Sequence, residues 1–207
     1  MMDLTVPYYD AAMETVNAAE YPRAALPAGF TLSGYREGFD LGWARIECAA
    51  EGMPSTEHAL AIFAREFPDE ALRRSRCLFA LNAEGVPVAT ASLWPGDTLG
   101  PVLPRVHYVA TDPAYEGLGL CRALLSALFD AAAAEKLGPR IYLTTQTPSY
   151  AAIGLYLQFG FRPVRTRPVH WHHDDFQPEQ AWLVIRERLA AYYAVRGRSV
   201  DLTALQL

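Results

Sequence analysis

The sequence predicts a mixed α/β domain, and three observations carry that prediction. Short apolar runs bounded by Gly, Pro, Asn or Asp recur along the middle of the chain and read as strands. Segments with apolar residues at three- and four-residue spacing read as helices. The two kinds run in the order ααββ–β–α–β–α–β, which is not a repeating βαβ array. At 207 residues the chain is long enough for one sizeable domain with a real core.

Residues 1–29 read as an arm that ends in the breaker Leu26-Pro27-Ala28-Gly29. Phe30 to Tyr35 reads as a strand. Asp40 is placed as the cap of a helix that carries Trp43 and Ile46 on one face. Ser55-Thr56-Glu57-His58 opens a second helix, with Leu60, Phe63, Ala64 and Phe67 at helical spacing and Pro68 as its stop. Cys77 to Leu81 is a strand, Asn82 to Pro87 a turn, and Val88 to Trp94 the returning strand. Arg105 to Thr111 is the next strand.

A helix then starts near Gly119, with Leu124, Leu125, Leu128 and Phe129 as its buried stripe. Gly138-Pro139 closes it. Ile141 to Gln146 is a strand, Ser149 to Phe159 a helix closed by Gly160, and Phe161 to Val169 a last strand. From Pro178, the spacing of Trp182, Ile185 and Leu189 predicts a final helix, with a strand over Trp182 to Ile185 as the competing assignment. The single domain is drawn over residues 30–195, with a tail over 196–207.

The composition is that of an ordinary globular protein, 51% apolar and 20% charged. A net charge of −5 argues against a nucleic-acid partner, while leaving room for a local cationic pocket. Cys48, Cys77 and Cys121 are odd in number, far apart and free of any CxxC pair, which fits a reducing compartment. The opening MMDLTVPYYD meets a charge at Asp3 and has no apolar run, so it does not read as a signal peptide. No stretch approaches the ~18 apolar residues of a membrane span. These features predict a cytoplasmic protein without a membrane partner; monomer and homodimer both stay open.

The stretch "DPAYEGLGLCRALL", residues 112 to 125, is the most informative. Two glycines one residue apart precede an apolar helix, a turn that suits an anion held by backbone amides. It is not a P-loop, because no Gly-Lys-Ser/Thr follows. It is not a dinucleotide fingerprint either, because Arg122 stands where that pattern needs glycine and several strands come first. The strand before it reads Val106-x-x-Val109-x-Thr111-x-Pro113. About thirty residues on comes Ser149-x-x-Ala152-x-x-Leu155-Tyr156-x-x-x-Gly160-Phe161.

Together these resemble the two signature motifs of the GNAT superfamily of acyl-CoA-dependent N-acyltransferases, and within it a subgroup of small bacterial proteins. The family's turn, Arg/Gln-x-x-Gly-x-Gly/Ala, is matched by Glu116-Gly117-Leu118-Gly119-Leu120-Cys121. Its later motif, Asn-x-x-Ala-x-x-x-Tyr, is matched by Ser149-x-x-Ala152-x-x-x-Tyr156. The departures are Glu116 for a cationic or amide residue, Cys121 for a smaller one, and Ser149 for asparagine.

The resemblance implies a central mixed, mostly antiparallel sheet flanked by helices, with splayed strands that hold acyl-CoA. It implies acetyl-CoA as co-substrate and an amine as acceptor, joined by direct attack in a ternary complex, with no metal. Gly117, Leu118, Gly119, Leu120, Cys121 and Arg122 would meet the pyrophosphate, with Glu116 beside them and Ser149 on the later motif. Val109, Ala110 and Thr111 would meet the pantetheine arm, and an N–H near Val109 the thioester oxygen. Tyr156 holds the family's general-acid position, or packs in the core.

His107 is the candidate base, in the strand before the turn, or else a hydrogen-bonded structural histidine; Arg105, at another position where relatives carry a base, cannot serve. "HWHHDD", His170 to Asp175, invites a metal but lacks the spacing of a compact site, and reads as a polar loop beside the acceptor pocket. Glu47 and Glu51, at i and i+4, share a helix face that is either solvated or attracts a cationic amine. The function expected is an N-acetyltransferase acting on a primary amine, with a non-catalytic acyl-CoA sensor as the alternative and an α/β nucleotide-binding oxidoreductase behind it.

Overall fold

A computed structural model describes residues 2–171 and 176–205 of the chain. In chain order its strands and α-helices are β1 (Asp10–Thr15), β2 (Thr31–Gly34), α1 (Phe39–Glu51), α2 (Thr56–Glu66), α3 (Glu70–Arg76), β3 (Cys77–Leu81) and β4 (Pro87–Gly96). Then follow β5 (Leu103–Thr111), α4 (Leu120–Ala134), β6 (Ile141–Gln146), α5 (Tyr150–Gln158), β7 (Arg162–Pro163) and α6 (Pro178–Ala194). The residues fall into two compact units: Pro22–Trp94 with Arg105–Leu137, and Met2–Tyr21 with Pro95–Pro104 and the described residues from Gly138 onward.

In the first unit the strands lie in the order β2-β3-β4-β5. β3 runs antiparallel to both β2 and β4, with a break in register at Ala80/Leu81. Every residue of β3 is buried, as a continuous apolar run of this length implies. Helix α4 packs on it, and α1 packs on α2. Trp43 and Ala44 of α1 meet Ala59 and Phe63 of α2 in a core that also takes Phe67, Phe79, Leu81 and Trp94. Its rings touch edge to face, Phe67 and Trp94 at 5.0 Å.

Ser55 caps α2 as its sequence predicts, Oγ accepting the His58 N–H at 3.1 Å. Asp40 does not cap α1. Gly38 holds that position at φ 85, and Asp40 lies in the first turn, where its charge still favours the positive helix end. Helix α3 is absent from the expected elements. Asp69 caps it through the Leu72 N–H at 2.9 Å, but none of its residues is buried, so it shows no apolar stripe.

In the second unit the order is β6-β1-β7, with β1 antiparallel to both neighbours. The expected arm therefore contains a strand. Its sequence, DAAMET, is alanine-rich and weak in strand propensity, so nothing local announces it. The last strand expected over 161–169 shrinks to Arg162–Pro163, because Pro163 and Pro168 carry no ladder donor. α6 is a helix and not the competing strand, with Trp182, Ile185 and Leu189 fully buried on one stripe. α5 packs against α6 at Gly154, where an added Cβ would lie 2.9 Å from Leu189 Cδ2. No helix among the described residues is long and apolar enough to cross a membrane.

Candidate active site

The glycine turn hangs from the end of β5 and is braced before it begins. The Asp112 N–H donates to the Val88 carbonyl at 2.9 Å, which fastens the strand end to β4. Asp112 Oδ1 accepts the Ala114 N–H at 3.0 Å and caps a single 3-10 turn. Tyr115, next in line, rests edge-on against Phe30 and accepts a hydrogen bond from Asn82 Nδ2 at 3.3 Å.

Beyond it, Gly117 and Gly119 have φ of 78° and 87°, a left-handed backbone that favours glycine. A Cβ built on either would meet nothing within 4 Å, so open space lies beside this backbone. Gly119 is the N-cap of α4, and no side chain caps that end. The first-turn N–H groups have no intrahelical acceptor and carry the positive end of the helix dipole. Such a turn suits an anion held by backbone amides.

The residues around it divide their work. Leu120 is buried and anchors the helix start, whereas Leu118 is half exposed at the tip. Cys121 Sγ lies 3.0 Å from Thr111 Oγ1, which ties the helix start to the strand end. Burial pushes the Cys121 thiol pKa up, so the group stays a thiol. Glu116 is exposed and Arg122 is half-buried in the first turn.

Upstream, Tyr108 sits at φ 49 in the middle of β5. A non-glycine residue there carries roughly 1–2 kcal/mol of strain. Aromatic packing holds it, with ring centroids at 4.1 Å from His107, 5.0 Å from Trp43 and 5.8 Å from Phe67. The kink breaks the strand's alternation: Val106 and Ala110 are buried, while His107, Tyr108 and Val109 are half-buried between them.

His107 Nε2 lies 3.3 Å from Glu66 Oε2, and Ser92 Oγ donates to the His107 carbonyl. Glu66 also takes Arg65 at 2.9 Å and Arg105 at 3.8 Å. Burial pushes the His107 pKa down to about 4, against the pull of Glu66. Donation from His107, with help from Arg65, holds Glu66 at about 2. At neutral pH the pair is thus a neutral imidazole and a carboxylate. Because a carboxylate only accepts, Nε2 carries the proton and Nδ1 keeps a lone pair. Glu66 was not among the residues that sequence reasoning selected; it stands 41 residues from His107 and belongs to no motif.

Glu47 does not lie on a solvated face. It is 1% exposed, and Glu51 one turn on is only partly exposed. Burial raises the pKa of both carboxyls.

Two of the expected residues belong to the second unit. Ser149 stands at the start of α5 without capping it, and its Oγ accepts the Gln146 side-chain N–H at 3.0 Å. Tyr156 lies on α5 at 7% exposure, its ring 5.9 Å from that of Phe161. Of the polar loop at 170–175, His170 Nδ1 lies 3.1 Å from Asp97 Oδ2. His172, His173, Asp174 and Asp175 lie outside the described residues.

The model of the acetyltransferase (GNAT) family matches residues 43–161. The N-alpha-acetyltransferase RimI of Mycobacterium tuberculosis is 42% identical over 63 residues, which span 30% of this chain and 37% of that protein. An uncharacterised protein of Mycobacterium leprae is 41% identical over 67 residues, 32% of this chain and 18% of that one. The chain thus spans well under half of either curated relative.

Among solved structures, a GCN5-related N-acetyltransferase from Sphaerobacter thermophilus superposes with a TM-score of 0.59 at 21% identity, over 77% of this chain and 49% of that one. A GNAT-family acetyltransferase from Colwellia psychrerythraea gives 0.58 at 13% identity, over 79% and 55%. At such identities the likeness is one of fold.

Proposed function

Because this chain belongs to the GNAT acetyltransferase family, we propose that it transfers the acetyl group of acetyl-CoA to a primary amine, by direct attack in a ternary complex. The observation that carries the donor is the turn at Gly117 and Gly119. Two left-handed glycines with open space beside them lead into a helix that no side chain caps. The amides from Gly117 to Arg122 hold the pyrophosphate there. Backbone groups of Val109, Ala110 and Thr111 hold the pantetheine arm, and Ser149 belongs to the same donor set. An acceptor amine with a pKa near 10 must lose a proton before it attacks.

His107 takes that proton in our reading. Glu66 fixes its tautomer with Nε2 as donor, which leaves the Nδ1 lone pair to accept the proton. An N–H near Val109 stabilises the oxyanion. Tyr156 returns a proton to the departing thiolate.

The partial likeness to a protein named for N-alpha acetylation makes α-amino groups the first acceptors to try. The test is release of free CoA from acetyl-CoA against a panel of α-amino peptides, polyamines, amino acids and aminoglycosides. Turnover of at least one amine, with mass-spectrometric addition of a single acetyl group, is the expected result. Acetyl-CoA binding without transfer to any member would instead favour a sensor.

A further inference from the structure

The strongest unexplained group in the molecule is the Glu47 carboxyl. It sits on the buried face of α1, one turn from Trp43, and is 1% exposed. Its Oε1 has no hydrogen-bond partner among the described residues. A buried carboxylate left in this way is heavily penalised, so the group is held protonated, well above the usual carboxylate range. Arg45, two residues before it on α1, is turned to the Pro87 carbonyl, and Arg65 and Arg105 pair with Glu66. Among the described residues of the first unit no partner accounts for a carboxyl here, and a leucine would fill the place without the penalty.

Its surroundings explain it better. Trp43 and Tyr108 stack edge to face at 5.0 Å, with Phe63 and Phe67 against Trp43 at 5.2 and 6.1 Å. Glu47 follows Trp43 by one turn on the same buried helix face, and a carboxylate with aromatic faces at hand is a setting in which a desolvated cation is held. Tyr108 and Cys121 both lie within electrostatic reach of Glu47, which places it toward the middle of β5 and the first turn of α4. Those are the segments that carry the candidate base and the glycine cradle. Glu51, one turn further along α1, is partly exposed, so the two carboxyls form a step from the surface to the interior.

We propose that Glu47 is the seat of the acceptor's nitrogen: its carboxylate, beside the rings of Trp43 and Tyr108, holds the primary ammonium that is to be acylated. The inference rests on the transferase reading above and adds to it where the acceptor is held. An ammonium brought to Oε1 supplies the missing partner, and Glu47 releases its proton to solvent as the ion pair forms. The class of acceptor follows. It is a cationic primary amine whose nitrogen can be stripped of water, not a neutral hydroxyl or an aniline.

Two experiments test this. The first needs no turnover. In protein carrying 13C-labelled glutamate, the Glu47 Cδ resonance, assigned by its loss in Glu47→Gln, is followed while n-butylammonium is added. It should move to the carboxylate position, and n-butanol should leave it in place. A resonance that ignores the ammonium at saturation overturns the proposal.

The second uses the amine that the wild type acetylates best. Glu47→Gln preserves size and removes the charge, and should raise KM for that amine by about ten-fold or more. Its acetyl-CoA affinity and thermal midpoint should match the wild type. An unchanged KM overturns the assignment while leaving the transferase intact. A wild type that acetylates no amine, with the resonance still responding to n-butylammonium, removes the transferase reading and leaves the ammonium site standing.

Discussion

Replacing His107 by Gln should remove a pH dependence from the stability of the fold. The glutamine amide can still donate to Glu66, fills a similar space and does not titrate. In the wild type, burial lowers the imidazole pKa from 6.5 to about 4. A group whose folded pKa is depressed favours the fold in its neutral form, so this contribution is present above pH 6.5 and is lost as pH falls toward 4. At about 1.4 kcal/mol per pH unit, the whole difference is worth about 3.5 kcal/mol, of which about 2.5 is already lost at pH 4.5.

Glu66 titrates on the same side but loses most of its contribution below its ordinary value of 4.5, so the interval above that is dominated by the imidazole. Urea unfolding at pH 7.5, 6.5, 5.5 and 4.5 gives the measurement. Wild type should lose about 2.5 kcal/mol more than His107→Gln between the extremes, with equal m-values. Parallel curves would mean that the histidine titrates normally, and that the neutral imidazole assigned to the pair with Glu66 is wrong.

Three further outcomes bear on the donor and the chemistry. Gly119→Ala puts a methyl group into the open space beside the turn and strains a left-handed position; acetyl-CoA affinity by calorimetry should fall ten-fold or more with the fold retained, and an unchanged affinity would remove the pyrophosphate from this turn. Glu116→Gln takes an exposed carboxylate away from the expected phosphates and should tighten acetyl-CoA by no more than about five-fold, since water and salt screen it; a clear loss would mean that Glu116 orders the turn. Tyr156→Phe keeps the buried ring against Phe161 and removes only the hydroxyl. It should lower the single-turnover rate by about 10–10³-fold with acetyl-CoA binding intact, and an unchanged rate would leave Tyr156 a packing residue.

Legibility in the sequence followed the strength of local signals. β3 and β6 show the bounds read from their apolar runs, and α2 and α4 begin where Ser55 and Gly119 announce them. β1 escaped because its burial comes from pairing with β6 and β7, which its alanines do not advertise. α3 escaped because it buries nothing.

At the candidate site, a motif could point to Gly117, Gly119 and Tyr156, since each holds a fixed place in a short pattern. It could not point to Glu66, whose meaning arises when α2 brings it to β5. It could not grade Glu47 either: i, i+4 carboxyls look alike on a solvated face and a buried one, and only the packing of Trp43 and Tyr108 separates the two. The kink at Tyr108 has no sequence mark, because its left-handed backbone is held by neighbouring rings and not by a glycine.

The placement of β1 bears on how this protein can be made. Tyr9 donates its N–H to Thr147 Oγ1 across 138 residues of chain, and β1 pairs with β6 over separations that run from Asp10 with Gln146 to Thr15 with Ile141. During synthesis the strand must wait unpaired until β6 has left the ribosome, roughly 6–26 seconds later at ~5–20 residues per second. Throughout that wait it offers free ladder edges on a short apolar segment. Its lack of strand propensity is then an advantage: a Val- or Ile-rich strand would be sticky in the interval, whereas alanines with Asp10 and Glu14 at either end stay inert until the right partner appears.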